Sequence, residues 1–232
     1  MTQAVLRVGG QAVLARSLPF ALYIVFLALD PWLVTALPKI IDVTPLWLYA
    51  LRIGTALGAL VFFRGAYGEL SLAPVVERGD WVLAALLGVG VFLAWITLDS
   101  GWAVFCAPMV SFVPVAPDGS LQWSLIVLRI FGAAAVVPLM EELFWRSFVQ
   151  RWIDSRDFLA LAPSAGSWLA LWLASLVFGF EHGQWLAGLM GGLAYGFLYR
   201  CSGSLWPPIA AHALTNFLLG VWVVITNAWK FW

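Results

Sequence analysis

Histidine and cysteine occur only twice each in this chain of 232 residues, and charged side chains make up just 10% of it. Basic and acidic residues balance to a formal net charge of zero, so no cationic excess is available to hold a nucleic acid. Cys106 and Cys201 are too few and too far apart for a disulfide framework or a metal cluster, and read as small apolar residues. Low-complexity linkers and internal repeats are missing too, so one integrated domain is expected. What the chain has instead is apolar surface. It is 63% hydrophobic, carries 15 tryptophans and has a mean hydropathy of +0.94. A soluble domain of this length could not bury so much, which points to an integral membrane protein.

A helix crossing the hydrocarbon needs about 20 apolar residues. On that ruler spans fall near 18–38, 46–63, 81–98, 121–145, 166–182, 184–200 and 204–227, with 101–113 as a shorter interfacial or re-entrant piece. The fold class expected is therefore all-α, a polytopic bundle of about seven to eight spans. Arg7 and Arg16 ahead of an apolar run resemble a signal peptide. The run continues through Asp30 and Pro31 without a small-residue cleavage site, so it reads as a retained span. With the N-terminus inside, Arg7, Arg16, Arg64, Arg78, Arg146, Arg151, Arg156 and Arg200 fall on the cytoplasmic side, against Lys39 and Lys230 outside. That bias predicts a cell inner membrane. Trp32, Trp47, Trp81, Trp102 and Trp123 sit near span ends, as an interfacial belt would.

Charges inside spans cost a few kcal/mol each, so every one needs a partner or a task. Asp30, Arg52, Arg129, Glu141, Glu142, Arg146, Glu181, His182 and His212 are the residues concerned. The doublet in "VVPLMEELFWR" is the densest case. Glu142 and Arg146 stand four apart, on one helix face and in the favourable order, and can neutralise each other. Glu141 points about 100° away and has no local cation, which makes it the candidate general base. Phe178 and His182 repeat the four-residue spacing, as do His212 and Asn216. The latter pair can donate hydrogen bonds toward one point, as a developing oxyanion requires. Pro207 and Pro208 open that helix, and Pro138 removes a backbone hydrogen bond just before the doublet, with a kink expected there. Gly192 and Gly196 form a GxxxG, most often a sign of close helix packing.

Each feature has a bland alternative. A single intramembrane histidine is often a packing residue, and a Glu–Arg pair is more often structural than catalytic. The conjunction is harder to dismiss, since both histidines, an unpaired glutamate and an asparagine lie in segments otherwise stripped of polarity.

"EELFWR", "FGFEH" and "GSLWPPIAAHALTN" resemble the three motifs of the CAAX-protease and bacteriocin-processing (CPBP) family of intramembrane peptidases. The longer string "VPLMEELFWRSFVQRW" and the closing "WKFW" resemble a subgroup associated with exosortase (PEP-CTERM) protein sorting. The resemblance implies N-terminal transmembrane helices over 1–120 and a CPBP-type catalytic helical core over 121–232. It implies peptide-bond hydrolysis at the membrane by direct water attack, with a membrane-associated protein or peptide as substrate and an exosortase system as possible partner. Glu141 would activate the water, His182 would help hold it, and His212 and Asn216 would stabilise the oxyanion. Glu142, Arg146 and Phe178 would support the site. No cofactor is expected, with zinc on Glu141, His182 and His212 as the alternative; the HExxH spacing is absent. A transporter or proton relay and a silent scaffold are the competing classes, but no duplicated halves with paired broken helices are visible. One conflict remains. A fourth span ending at 145 sets Glu141 near one membrane face, while His182 closes the fifth span near the other, and the implied chemistry needs them together.

Overall fold

The computed structural model describes residues 2–36, 45–71, 75–105, 113–116 and 118–232. Lys39, Cys106, the last residues of the first expected span and most of the stretch 101–113 lie outside the described residues. Among those described there are seven helices and no strand, so the chain is all-α. The helices are α1 (Thr2–Ala36), α2 (Pro45–Phe62), α3 (Arg78–Thr97), α4 (Trp123–Asp154), α5 (Trp168–Phe180), α6 (Trp185–Ser202) and α7 (Trp206–Thr226).

Four stretches are long and apolar enough to cross a membrane: Gly9–Asp30, Arg78–Thr97, Trp123–Asp154 and Trp206–Thr226. Trp47–Phe62 and Trp168–Phe180 are apolar but shorter. Against the seven to eight spans expected, seven helices are found among the described residues, four of them long and apolar enough to cross a membrane by length and composition. Trp32, Trp47, Trp81, Trp102 and Trp123 are all exposed, as a belt at the bilayer interface requires.

The largest departure from the hydropathy ruler is α4. It does not stop at 145 but runs unbroken to Asp154, through two π-helical stretches, Gly132–Val136 and Leu143–Gln150. Arg146 and Arg151, which look like a span end in sequence, are buried in its wall. Arg16 is buried too, so these three do not belong to a count of loop cations. A short α5 and a long α4 bring Glu141 to mid-helix, and the conflict between Glu141 and His182 disappears. Pro138 does not break α4. The π turn before it shifts the ladder, with the Val137 N–H bonded to the Gly132 carbonyl. In that register the next acceptor, the Ala133 carbonyl, would face a proline nitrogen with no hydrogen.

Packing against α4 is set by small residues and buried polar links. α7 lies along α3 and α6, and α5 lies along α6. At Gly192 of α6 a Cβ would stand 2.8 Å from the Ser175 Cα, and at Gly179 of α5 one would stand 2.9 Å from the Leu189 nitrogen. The GxxxG glycine therefore serves contact within the chain, between α5 and α6. Tyr195 Oη donates to Thr215 Oγ1 at 2.8 Å, and that hydroxyl reaches the Gly88 carbonyl at 2.8 Å, tying α6, α7 and α3 together.

At the other end a charged knot joins α1, the 3₁₀ turn Gly68–Leu70 and α4. Arg16 grips Glu69 with Nε at 2.7 Å and Nη2 at 2.6 Å. The Ser147 hydroxyl donates to the same carboxylate and accepts from Arg151 Nη2 at 2.8 Å. Burial alone would raise the Glu69 carboxyl, but the Arg16 and Ser147 hydrogen bonds outweigh it and hold it below the usual carboxylate range.

Candidate active site

The motif residues meet at the middle of the bundle. Glu142 and Arg146 pair at 3.0 Å, Oε2 to Nε, and both are buried. The Arg146 guanidinium lies over the Phe178 ring at 4.5 Å and the Tyr195 ring at 5.5 Å, so two aromatic faces and one carboxylate hold it. Phe178 thus has two functions at once. Its ring carries Arg146, and its carbonyl takes His182 Nδ1 at 2.8 Å one helical turn later.

Glu142 does more than the sequence suggests. Its Oε1 is 2.9 Å from His212 Nδ1, a contact across 70 residues of chain that no helical spacing could reveal. The Tyr195 ring stacks on His212 at 4.9 Å and 16°. A carboxylate and a carbonyl can only accept, so each assigns the hydrogen to Nδ1 of its histidine. Both neutral rings then keep an unprotonated Nε2. His212 Nε2 lies 3.9 Å from Glu141 Oε2. That oxygen is buried and has no hydrogen-bond partner among the described residues; Glu142 Oε2 lacks a hydrogen bond as well, but it is ion-paired with Arg146 at 3.0 Å while its Oε1 meets His212. The doublet is chemically split, one carboxylate structural and one open.

Asn216 explains the proline. Its Nδ2 donates at 2.8 Å to the Ala133 carbonyl, the acceptor left over by Pro138 and the π turn. One amide hydrogen is used in this way, and the second remains for another acceptor. The four residues singled out in sequence, Glu141, His182, His212 and Asn216, all line one cavity of about 520 Å³. Glu181, noted in sequence as an intramembrane charge but given no place in the site, also lines the cavity next to His182 and accepts from Trp145 Nε1 at 3.1 Å. Its only signal was being a carboxylate inside an apolar helix end.

Residues 122–218, which contain all three motifs, match the family described as type II CAAX prenyl endopeptidase, Rce1-like. Over this segment, less than half of the chain, the sequence is similar to that CPBP-type family. The match implies a protease and supports an intramembrane endopeptidase acting on a membrane-embedded peptide. No curated protein and no solved structure matches the chain. Among the described residues no three His, Cys, Asp or Glu side chains are grouped to hold a metal ion.

Proposed function

We propose that the protein is an intramembrane glutamic endopeptidase in which Glu141 activates the attacking water. The observation that carries this reading is the Glu141 Oε2, buried with no hydrogen-bond partner among the described residues, in a cavity lined also by both histidines. Glu141 takes one proton from water as the oxygen adds to the scissile carbonyl carbon. His182 Nε2, left as an acceptor by the bond at Nδ1, accepts a hydrogen bond from the other water hydrogen, which stays on the oxygen. The oxyanion forms against the second Nδ2 hydrogen of Asn216 and beside His212, which is held at Nδ1 by Glu142 and donates from Nε2 when that nitrogen carries a hydrogen. Collapse breaks the C–N bond as Glu141 returns its proton to the leaving amine. No acyl-enzyme is formed, and no step is routed through a metal.

The arginine bias of the loops, with Arg64, Arg78 and Arg156 exposed, supports a cytoplasmic N-terminus in an inner membrane. The "VPLMEELFWRSFVQRW" and "WKFW" strings support service to an exosortase sorting system.

The test compares protein N-termini in membrane and exported fractions of a deletion strain carrying the wild-type chain or Glu141→Gln. Specific termini present only with the wild type are expected, and they name the substrate. Identical termini in the two strains would remove Glu141 from the chemistry.

A further inference from the structure

The cavity of the site does not end at the motif residues. Arg129, Ile130, Ala133, Val137 and Glu141, one face of α4, line it over about 18 Å, and Phe231 and Trp232 form part of its wall. Both belong to a short segment that follows α7 and turns back over the bundle. The sequence accounts for that turn. Asn227 ends α7 with φ at +55°, a left-handed conformation that asparagine adopts more readily than most residues. The 3₁₀ turn Trp229–Phe231 then closes on itself, with the Phe231 N–H bonded to the Ala228 carbonyl at 3.2 Å.

Contacts near the ends of three helices hold the segment. The Phe231 ring meets Trp222 of α7 edge-on at 5.4 Å. The Trp232 ring faces the Arg129 guanidinium of α4 at 5.4 Å. Lys230 pairs with Asp99, which lies just beyond the end of α3 at Thr97. None of the turn residues Trp229–Phe231 is buried, and the Lys230 side chain is 45% exposed. An ion pair in that setting holds weakly and is screened by salt. Few buried groups and contacts at the surface are what distinguish a segment that opens locally from the rest of a fold. Its position matters for a substrate. A peptide with its scissile bond at Glu141, extended along this face of α4, covers 18 Å in about five residues. Phe231 and Trp232 stand where that peptide must continue.

We propose that Trp229–Trp232 is a strap that closes the Arg129 end of the cavity, and that release of Lys230 from Asp99 opens it to an extended peptide. This rests on the peptidase reading above. A closed strap keeps Glu141 and the histidines from peptides at large, and an open one admits a substrate. The apparent affinity for a peptide is then its intrinsic affinity scaled by the fraction of molecules with the strap open.

The test uses Glu141→Gln protein in phosphatidylcholine discs, so that binding is read without turnover. The probe is a fluorescent apolar dodecapeptide, acetylated and amidated so that it carries no charge, and association is followed by stopped flow. Asp99→Asn and Lys230→Gln are each expected to raise the association rate about fivefold, the most that an exposed ion pair holds back. Exchanging the charges, Asp99→Lys with Lys230→Asp, should return the rate to that of the parent. Added salt should speed association in the parent and leave the Asp99→Asn rate unchanged. Phe231→Ala, which removes the ring and keeps the ion pair, should speed association as well. The salt comparison in the parent needs no substitution, so it decides the matter even where a variant fails to fold. A parent rate indifferent to salt, or rates unchanged by Asp99→Asn and Lys230→Gln, overturns the proposal. So does slower or weaker binding in Phe231→Ala, since the segment is then a fixed wall against which the peptide packs. The same gating in protein with Glu141 restored that cleaves no peptide overturns the peptidase reading alone.

Discussion

At the scale of single residues, the site works by giving chemically similar groups different neighbours. Glu141 and Glu142 are adjacent in sequence, yet one meets Arg146 and His212 while the other keeps an oxygen free. The same logic fixes the histidines, because an acceptor at each Nδ1 leaves each Nε2 for the cavity. Substituting Glu142→Gln keeps the shape but withdraws the charge that balances Arg146 and orients the His212 ring through Nδ1. Cleavage is expected to fall on the order of 10²-fold in kcat with KM little changed, as for loss of transition-state stabilisation. Steady-state kinetics on a cleaved peptide measures this, and a rise in KM at constant kcat would contradict it. The pairing of Glu142 with Arg146 was legible from spacing alone. Its contact with His212 was not, because it depends on how α4 and α7 cross.

At the scale of elements, α4 shows why hydropathy misplaces a span. Arg146 and Arg151 read as the edge of the membrane, yet both are neutralised by buried partners, and the helix continues. Apart from α1, which begins at Thr2 and not near 18, helix positions elsewhere followed the apolar runs to within a few residues, because long apolar segments bounded by glycine, proline and charge leave little choice. The π turn at Gly132–Val136 could not be read at all, since it leaves the Ala133 carbonyl facing Pro138 and satisfied by a donor from Asn216 on another helix. Close contact of α5 and α6 was signalled by glycines, and the partner helix was not. Replacing Gly192 with Val puts side-chain atoms where a Cβ is already 2.8 Å from Ser175, so the helices must separate. A loss of about 1–3 kcal/mol is expected, seen as a lower midpoint of thermal aggregation in detergent. An unchanged midpoint would contradict this packing.

At the scale of the whole molecule, two polar knots organise an apolar bundle. One is the site itself, and the other is Arg16, Glu69, Ser147 and Arg151, which ties α1 and the turn after α2 to the helix bearing the doublet. The Glu69 carboxyl is held below its ordinary value of 4.5 in the fold, so its contribution to stability is complete above that pH. It is lost as pH falls through the lowered value. Glu69→Gln, which leaves Arg16 buried without a counter-charge, is expected to cost about 3 kcal/mol at neutral pH. The gap between variant and wild type should narrow on acidification below 4.5. Thermal midpoints recorded across pH measure it, and a gap independent of pH would contradict the assignment. The arginine at one end of this knot was read from sequence as a loop cation, because its partner lies 53 residues away.

The measurement closest to the central claim is cleavage of a peptide carrying the cellular cut site by purified protein in lipid discs. Wild type and Glu141→Gln are compared, with a chelator present throughout. Cleavage by the wild type and none by the variant is the predicted result, with the variant still binding the peptide. Equal cleavage by both, or wild-type cleavage that stops with the chelator and returns with zinc, would contradict a glutamate acting alone on water.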